Sequence, residues 1–245
     1  MKAIYKRELR SYFTSPIGYV FVAVYLVLSG VLFAYTTLLS AISGGSADIG
    51  TYFTVLICGF SFLLPLLTMR LFADDRRMKT EQLLLTAPVS IGGMVGAKFL
   101  AAYTVFAGTY AVSALDFLLL YIYNDTTGVV TEKNTAMLVG YSIAVLLLGA
   151  AFIAIGVFVS SLTEHQITAV IVTIAILAFC LCCGMLNSVI SFAPLRSVLS
   201  WLSIYSRFQN FAYGVFDFNA IIYYLSITFV FLFVTVRVYE KRRWA

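Results

Sequence analysis

Six apolar stretches, at residues 17–39, 52–69, 99–123, 137–160, 167–186 and 220–236, fill most of this 245-residue chain. A bilayer core about 30 Å thick takes roughly 20 residues of helix at ~1.5 Å rise each, and every stretch comes close to that length. Lipid supplies no hydrogen-bond partners, so each backbone N–H and C=O must be satisfied within the protein, and such a run must be helical. The sequence therefore predicts an all-α integral membrane protein with six transmembrane helices. Its function must be read from the few polar residues that remain.

Charged residues make up 11% of the chain, against about 25% in a soluble domain. The longest polar interruption, residues 70–98, is too short to be a domain of its own. The whole chain thus reads as a single transmembrane domain, and any soluble machinery it needs belongs to another chain. The net charge of +5 is distributed unevenly. Lys2, Lys6, Arg7 and Arg10 precede the first span, Arg70, Arg76, Arg77, Lys79 and Lys98 lie between the second and third, and Arg237, Lys241, Arg242 and Arg243 follow the last. The other side carries only Lys133, Arg196 and Arg207, beside Asp48, Asp125, Glu132 and Asp217. The positive-inside rule places both termini and the 70–98 connection in the cytoplasm, and an even number of spans agrees. The basic excess reports orientation and contact with anionic lipid, not nucleic acid.

Several chemistries are excluded or weakened. Cys58, Cys180, Cys182 and Cys183 all fall inside predicted spans, with neither zinc-site nor disulfide-framework spacing, and read as small packing residues. Glu164-His165 is the one acid–histidine neighbour pair, but adjacent helical residues point about 100° apart. A single histidine with no cysteine or carboxylate cluster makes no metal site. No serine–histidine–carboxylate set can be assembled on one membrane face. The basic N-terminus followed by an apolar run is signal-like, but that run exceeds the roughly 7–15 residues of a cleavable signal, so it reads as a retained span.

Residues 1–15 read as an amphipathic surface helix. Met1, Tyr5, Leu9, Tyr12 and Phe13 share one stripe, and the basic residues Lys2, Lys6 and Arg10 another. Ser15-Pro16 marks the break before span one. Pro65 is expected to kink span two. Asp116 is the one carboxylate within an apolar span, near its outer boundary, and an ionisable group there is a candidate for the translocation path. Solvation at the boundary or a hydrogen bond to a neighbour would also account for it. Residues 187–219 are too apolar for a solvated loop, and Pro194, Arg196 and Arg207 divide them into pieces too short to span. They read as a re-entrant helical hairpin in the outer leaflet.

The connection after span two is the most informative stretch. Thr80 suits a helix N-cap, with Glu81 and Gln82 in the first turn, Leu83, Leu84 and Leu85 next, and Ala87-Pro88 as the stop. Ser90 suits the cap of the following helix. A short leucine-faced helix in the cytosol needs a surface to bury against, either the membrane and its own spans or a groove on a soluble partner.

The string from Met69 to Ser90 resembles the coupling-helix region of ABC-2 type transporter permeases, which tend to read M-R-x-F-A-E-E-x-x-x-G-T-x-E-L-L-L-T-x-P-V-S. It matches at Met69, Arg70, Phe72, Ala73, Thr80, Leu83, Leu84, Leu85, Thr86, Pro88, Val89 and Ser90, with Asp74 and Asp75 conservative. It departs at Lys79, where glycine is usual, and at Gln82, where glutamate is usual. Lys6-Arg7-Glu8-Leu9 to Tyr19, Ser160-Ser161-Leu162-Thr163-Glu164-His165-Gln166, Tyr223-Tyr224-Leu225-Ser226 and Arg242-Arg243-Trp244 are similar to the gliding-motility (GldF-type) branch.

The resemblance implies a type V ABC exporter-like fold: an elbow helix, six spans, a cytoplasmic coupling helix and a re-entrant hairpin between spans five and six. It implies a bacterial inner-membrane permease working as a homodimer or pseudo-dimer on a separate cytoplasmic ABC ATPase, with a GldG-like auxiliary membrane protein as a further partner. ATP and Mg would be bound by that ATPase and no cofactor by this chain, which is then not itself an enzyme. Gly92-Gly93-Met94-Val95-Gly96-Ala97-Lys98 is no Walker A motif, because Ala97 separates glycine from lysine and no Ser/Thr follows. On this resemblance Arg70, Asp74, Asp75, Arg77, Thr80, Glu81, Gln82, Leu83, Leu84, Leu85, Pro88, Glu164 and His165 face the ATPase, and Lys2, Lys6, Arg7 and Arg10 hold the elbow at the membrane surface. A rival reading is a membrane anchor or channel component of a motility or secretion machine.

Overall fold

The computed structural model describes residues 2–39, 48–79, 90–118, 122, 132–186, 204–209, 211 and 217–244. No strand occurs among them, and six helices are long and apolar enough to cross a membrane. The chain is therefore an all-helical, multi-pass membrane protein.

Helix α1 (Lys2–Thr14) comes first, with Lys2, Lys6, Arg7 and Arg10 exposed, Tyr5 and Leu9 partly buried and Tyr12 buried. The Tyr5 hydroxyl donates to Thr104 Oγ1 at 3.0 Å, and the Tyr12 hydroxyl to the Leu67 carbonyl at 2.8 Å. Burial pushes the Tyr12 hydroxyl pKa up, so it remains a donor at neutral pH. Phe13 leaves the expected stripe: it is exposed, its ring 6.4 Å from that of Tyr19. Ser15 is extended, and Pro16 takes the first helical turn of α2 (Pro16–Leu32), where its missing N–H costs nothing. The span then widens into a π-helical turn, Phe33–Leu38.

Asp48 caps α3 (Ile49–Thr68), accepting the Thr51 N–H at 3.0 Å. The helix passes through Pro65 and is interrupted at Met69, after which α4 (Arg70–Arg77) begins. Helix α5 (Ile91–Ser113) starts well before its purely apolar run and continues as a tight turn to Leu118. Then come α6 (Glu132–Leu162), α7 (Gln166–Leu186), α8 (Ile204–Gln209) and α9 (Phe218–Trp244).

Helix α6 is the axis of the bundle: α3, α4, α5, α7, α8 and α9 all pack on it. Of its span 67% is buried, against 17% for α9, which lies at the rim. Two glycines let α6 serve that role. A Cβ at Gly149 would run into the Phe106 ring of α5, and one at Gly156 into Thr68 of α3. In lipid, helices associate through close packing rather than through expulsion of water, so such small residues set how near two backbones come.

The end of the bundle away from α4 is joined by aromatic rings. Phe53 of α3 stacks on Tyr141 of α6 at 4.8 Å, and Tyr141 on Phe208 of α8 at 5.2 Å. Ile204, Phe208 and Phe211 are buried in the core, and the Tyr224 hydroxyl donates to the Ile204 carbonyl at 2.9 Å. Residues 204–209, 211 and 217–219 are the described part of the apolar 187–219 segment. The expected hairpin across the remainder lies outside the described residues.

Candidate functional site

Polar side chains collect where α1, α4, the α6–α7 turn and the start of α5 meet. At the centre is Lys98, two turns into α5 and 1% exposed. Its ammonium donates to Asp75 Oδ2 at 2.6 Å, to Glu8 Oε1 at 3.2 Å and to the Leu71 carbonyl. It also lies 4.9 Å from the centre of the Phe72 ring. Arg7 completes the group, 2.9 Å from Glu8 and 3.7 Å from Asp75. Two cations thus face two carboxylates, and every bond ties one helix to another or braces one that does. A buried ammonium survives only with such partners, since leaving water uncompensated costs several kcal/mol.

A second set joins α4 to the α6–α7 turn. Ser160, fully buried, accepts the N–H groups of Phe72 and Ala73, both at 3.2 Å, and donates to the Met69 carbonyl at 3.1 Å. The first N–H groups of a helix have no partner within it. Here a side chain from α6 supplies one, which is why the chain can break at Met69 and restart as α4 while buried. Asp74 takes Arg70 Nε at 2.8 Å and a hydrogen bond from Gln166. Arg76 meets Glu164 at 2.9 Å and the Leu162 carbonyl at 3.1 Å. A crevice of about 250 Å³ remains between α1 and α4, lined by Arg7, Ser11, Arg70 and Asp74 among others.

Helix α4 ends in an informative way. The Met78 N–H bonds the Asp74 carbonyl at 2.9 Å, and Lys79 follows with φ 55°, in the left-handed region. A residue there closes a helix, and glycine adopts it at least cost. This is the position at which the permease string carries glycine. Lys79→Gly is expected to stabilise the chain by about 0.5–1 kcal/mol, read as a raised melting temperature. A lowered one would mean that the left-handed cap does not end α4.

The structure brings together Arg70, Asp74, Asp75 and Glu164, and adds Arg7 from α1. Arg77 and His165 are exposed at the same end, as are Lys2, Lys6 and Arg10 on α1. Thr80, Glu81, Gln82, Leu83, Leu84, Leu85 and Pro88 lie outside the described residues. Asp116 stands apart, about 27 Å of helix from Lys98 at ~1.5 Å per residue. It is half-buried in the tight turn after Ser113, and makes no side-chain hydrogen bond or ion pair among the described residues. No group of metal-ligating residues occurs among the described residues.

Sequence reasoning counted Lys98 only as one more basic residue of the connection and gave Glu8, Ser160 and Gln166 no individual role. A signal for Lys98 was present. It shares helical spacing with Met94, Val95, Ala101, Ala102 and Val105, all buried, and so had to point inward once the helix began at Ile91. Ser160 and Gln166 carried no such signal, because what they bond to lies some 90 positions earlier in the chain.

No protein-family model matches this chain, and no curated protein shows significant similarity to it.

Proposed function

We propose that this chain is the membrane-spanning permease subunit of an ATP-binding cassette exporter, driven by a separate cytoplasmic ATPase. The observation that carries the proposal is the meeting of α4 with the turn 160–166. The two segments with the most specific permease-like sequence are far apart in the chain, yet Ser160, Glu164 and Gln166 all bond to the Met69–Arg76 segment. A push on the connection that follows α4 would reach α3 directly, α6 through Ser160, and α1 and α5 through Asp75 and Lys98. A lever needs that kind of multiple attachment.

In this reading both termini and the 70–98 connection are cytoplasmic, in a bacterial inner membrane. Residues 80–86 form the coupling helix that docks in a groove on the ATPase, α1 is the elbow at the membrane surface, and residues 187–219 form the re-entrant hairpin. A second permease copy completes the pathway for an amphipathic or lipid-linked substrate. ATP-driven closure of the ATPase does work only if it favours one arrangement of the spans over another.

The leucine cluster supplies the test. The double variant Leu83→Asp, Leu84→Asp is expected to weaken ATPase binding at least about tenfold, because an unpaired carboxylate in a desolvated groove costs more than ~1.4 kcal/mol. Co-purification with the cytoplasmic ABC ATPase recovered with the wild-type chain in mild detergent, and stimulation of its turnover, are the measurements. Normal binding and stimulation by the double variant would remove the coupling assignment.

A further inference from the structure

A cavity of about 1060 Å³ forms a groove between α7 and α9, floored by α6 and lined at one end by α8. Its walls are apolar: Ile155 of α6, Ile176 and Phe179 of α7, and Ile222, Ile227 and Phe231 of α9. Phe179 and Ile222 are 61% and 62% exposed, so the groove opens sideways, toward the lipid, along the outer flank of a spanning helix pair. Its polar residues gather at the α8 end. There the Arg207 guanidinium lies over the Tyr223 ring, 3.9 Å from its centre, and among the described residues no carboxylate is within ion-pairing distance of it. Asp217 sits on the same rim, its Oδ1 accepting the Asn219 N–H at 2.9 Å in the first turn of α9.

Length decides what such a groove can hold. From Asp217 to Phe231 the rise along α9 is about 21 Å at ~1.5 Å per residue. Half of a bilayer about 40–45 Å thick with its headgroups is the same distance. An arginine ranks among the best phosphate binders, because its donors form a planar fork, and stacking on an aromatic ring holds that fork still. We propose that the groove binds one phosphate-bearing diacyl lipid from the leaflet on the α8 side, its phosphate on Arg207 and its acyl chains between α7 and α9. This holds whether or not the chain works with an ATPase.

The test is equilibrium binding to the purified full-length chain in detergent, using dioleoyl phosphatidylglycerol, dioleoylglycerol and inorganic phosphate. The wild type is expected to bind the phospholipid saturably and the dioleoylglycerol at least about tenfold more weakly, the worth of one charge-assisted hydrogen bond, with no measurable binding of inorganic phosphate. Arg207→Gln should bring the phospholipid down to the dioleoylglycerol level. Ser226→Trp, which adds bulk to the groove wall and keeps Arg207, should abolish binding of both, with a melt confirming that each variant is folded. Equal affinity of the wild type for the two lipids, unchanged phospholipid binding in both variants, or inorganic phosphate competing at matched concentration would overturn the proposal. So would efficient disulfide formation between copies carrying Ile222→Cys, which would make the groove a contact between two chains.

Discussion

Replacing Lys98 with methionine is expected to destabilise the folded chain by about 3–5 kcal/mol, the usual result of removing one member of a buried ionic group. Methionine matches the length of the aliphatic stem, so little packing is lost. What is lost is the buried cation that Glu8 and Asp75 share, at 3.2 and 2.6 Å, together with the donor to the Leu71 carbonyl. Arg7 cannot replace it, since its side chain is mostly exposed and its bond to Asp75 is already long at 3.7 Å. The measurement is a thermal melt of the purified protein in detergent. A triple variant, Lys98→Met with Glu8→Gln and Asp75→Asn, should recover most of the loss, because it leaves no buried charge unpaired and the Arg7 side chain, which loses both partners, is 54% exposed to solvent. If Lys98→Met melts with the wild type, the cluster does not hold α1 and α4 to α5. If the chain is the permease proposed above, Lys98→Met, with α1 and α5 released from α4, should also retain ATPase binding and lose transport.

Gly156→Leu is expected to cost about 1–3 kcal/mol or more through overpacking. The cause is different, and so is the remedy. At Gly156 even a Cβ collides with Thr68, whose hydroxyl already donates to the Leu64 carbonyl at 3.2 Å one turn before the break at Met69. Helix α6 would have to withdraw from α3, taking Ser160 away from the N–H groups of Phe72 and Ala73. Thr68→Ala in the same chain should return part of the loss, a coupling that distant sites would not show. Additive losses in the double variant would mean that the two helices are not in the close contact described.

The number of spans and their helical nature were legible because a backbone in lipid has no other way to satisfy its hydrogen bonds. The two-faced character of α1 was legible as well, since at a surface the two sides of a helix meet different solvents. Within the spans that distinction fades. Lipid and protein interior are both apolar, so nothing in the composition of α6 and α9 marks the first as the axis and the second as the rim. The aromatic stretch after α7 shows the same limit: nothing in its composition marks Phe208 and Phe211 as core residues, and both are buried in the core.

The charged site divides in the same way. Sequence drew attention to Arg70, Asp74, Asp75 and Glu164 through the charge run beside span two and the resemblance to the permease string. It could not pair them. Lys98 finds Glu8 and Asp75, and Ser160 finds the start of α4, only after six helices have packed, for each bond joins positions from about 20 to 90 residues apart, a separation that no local periodicity encodes. Solvent dictates which segments cross the membrane; the depth and rotation at which those segments pack dictate which of their few polar groups meet.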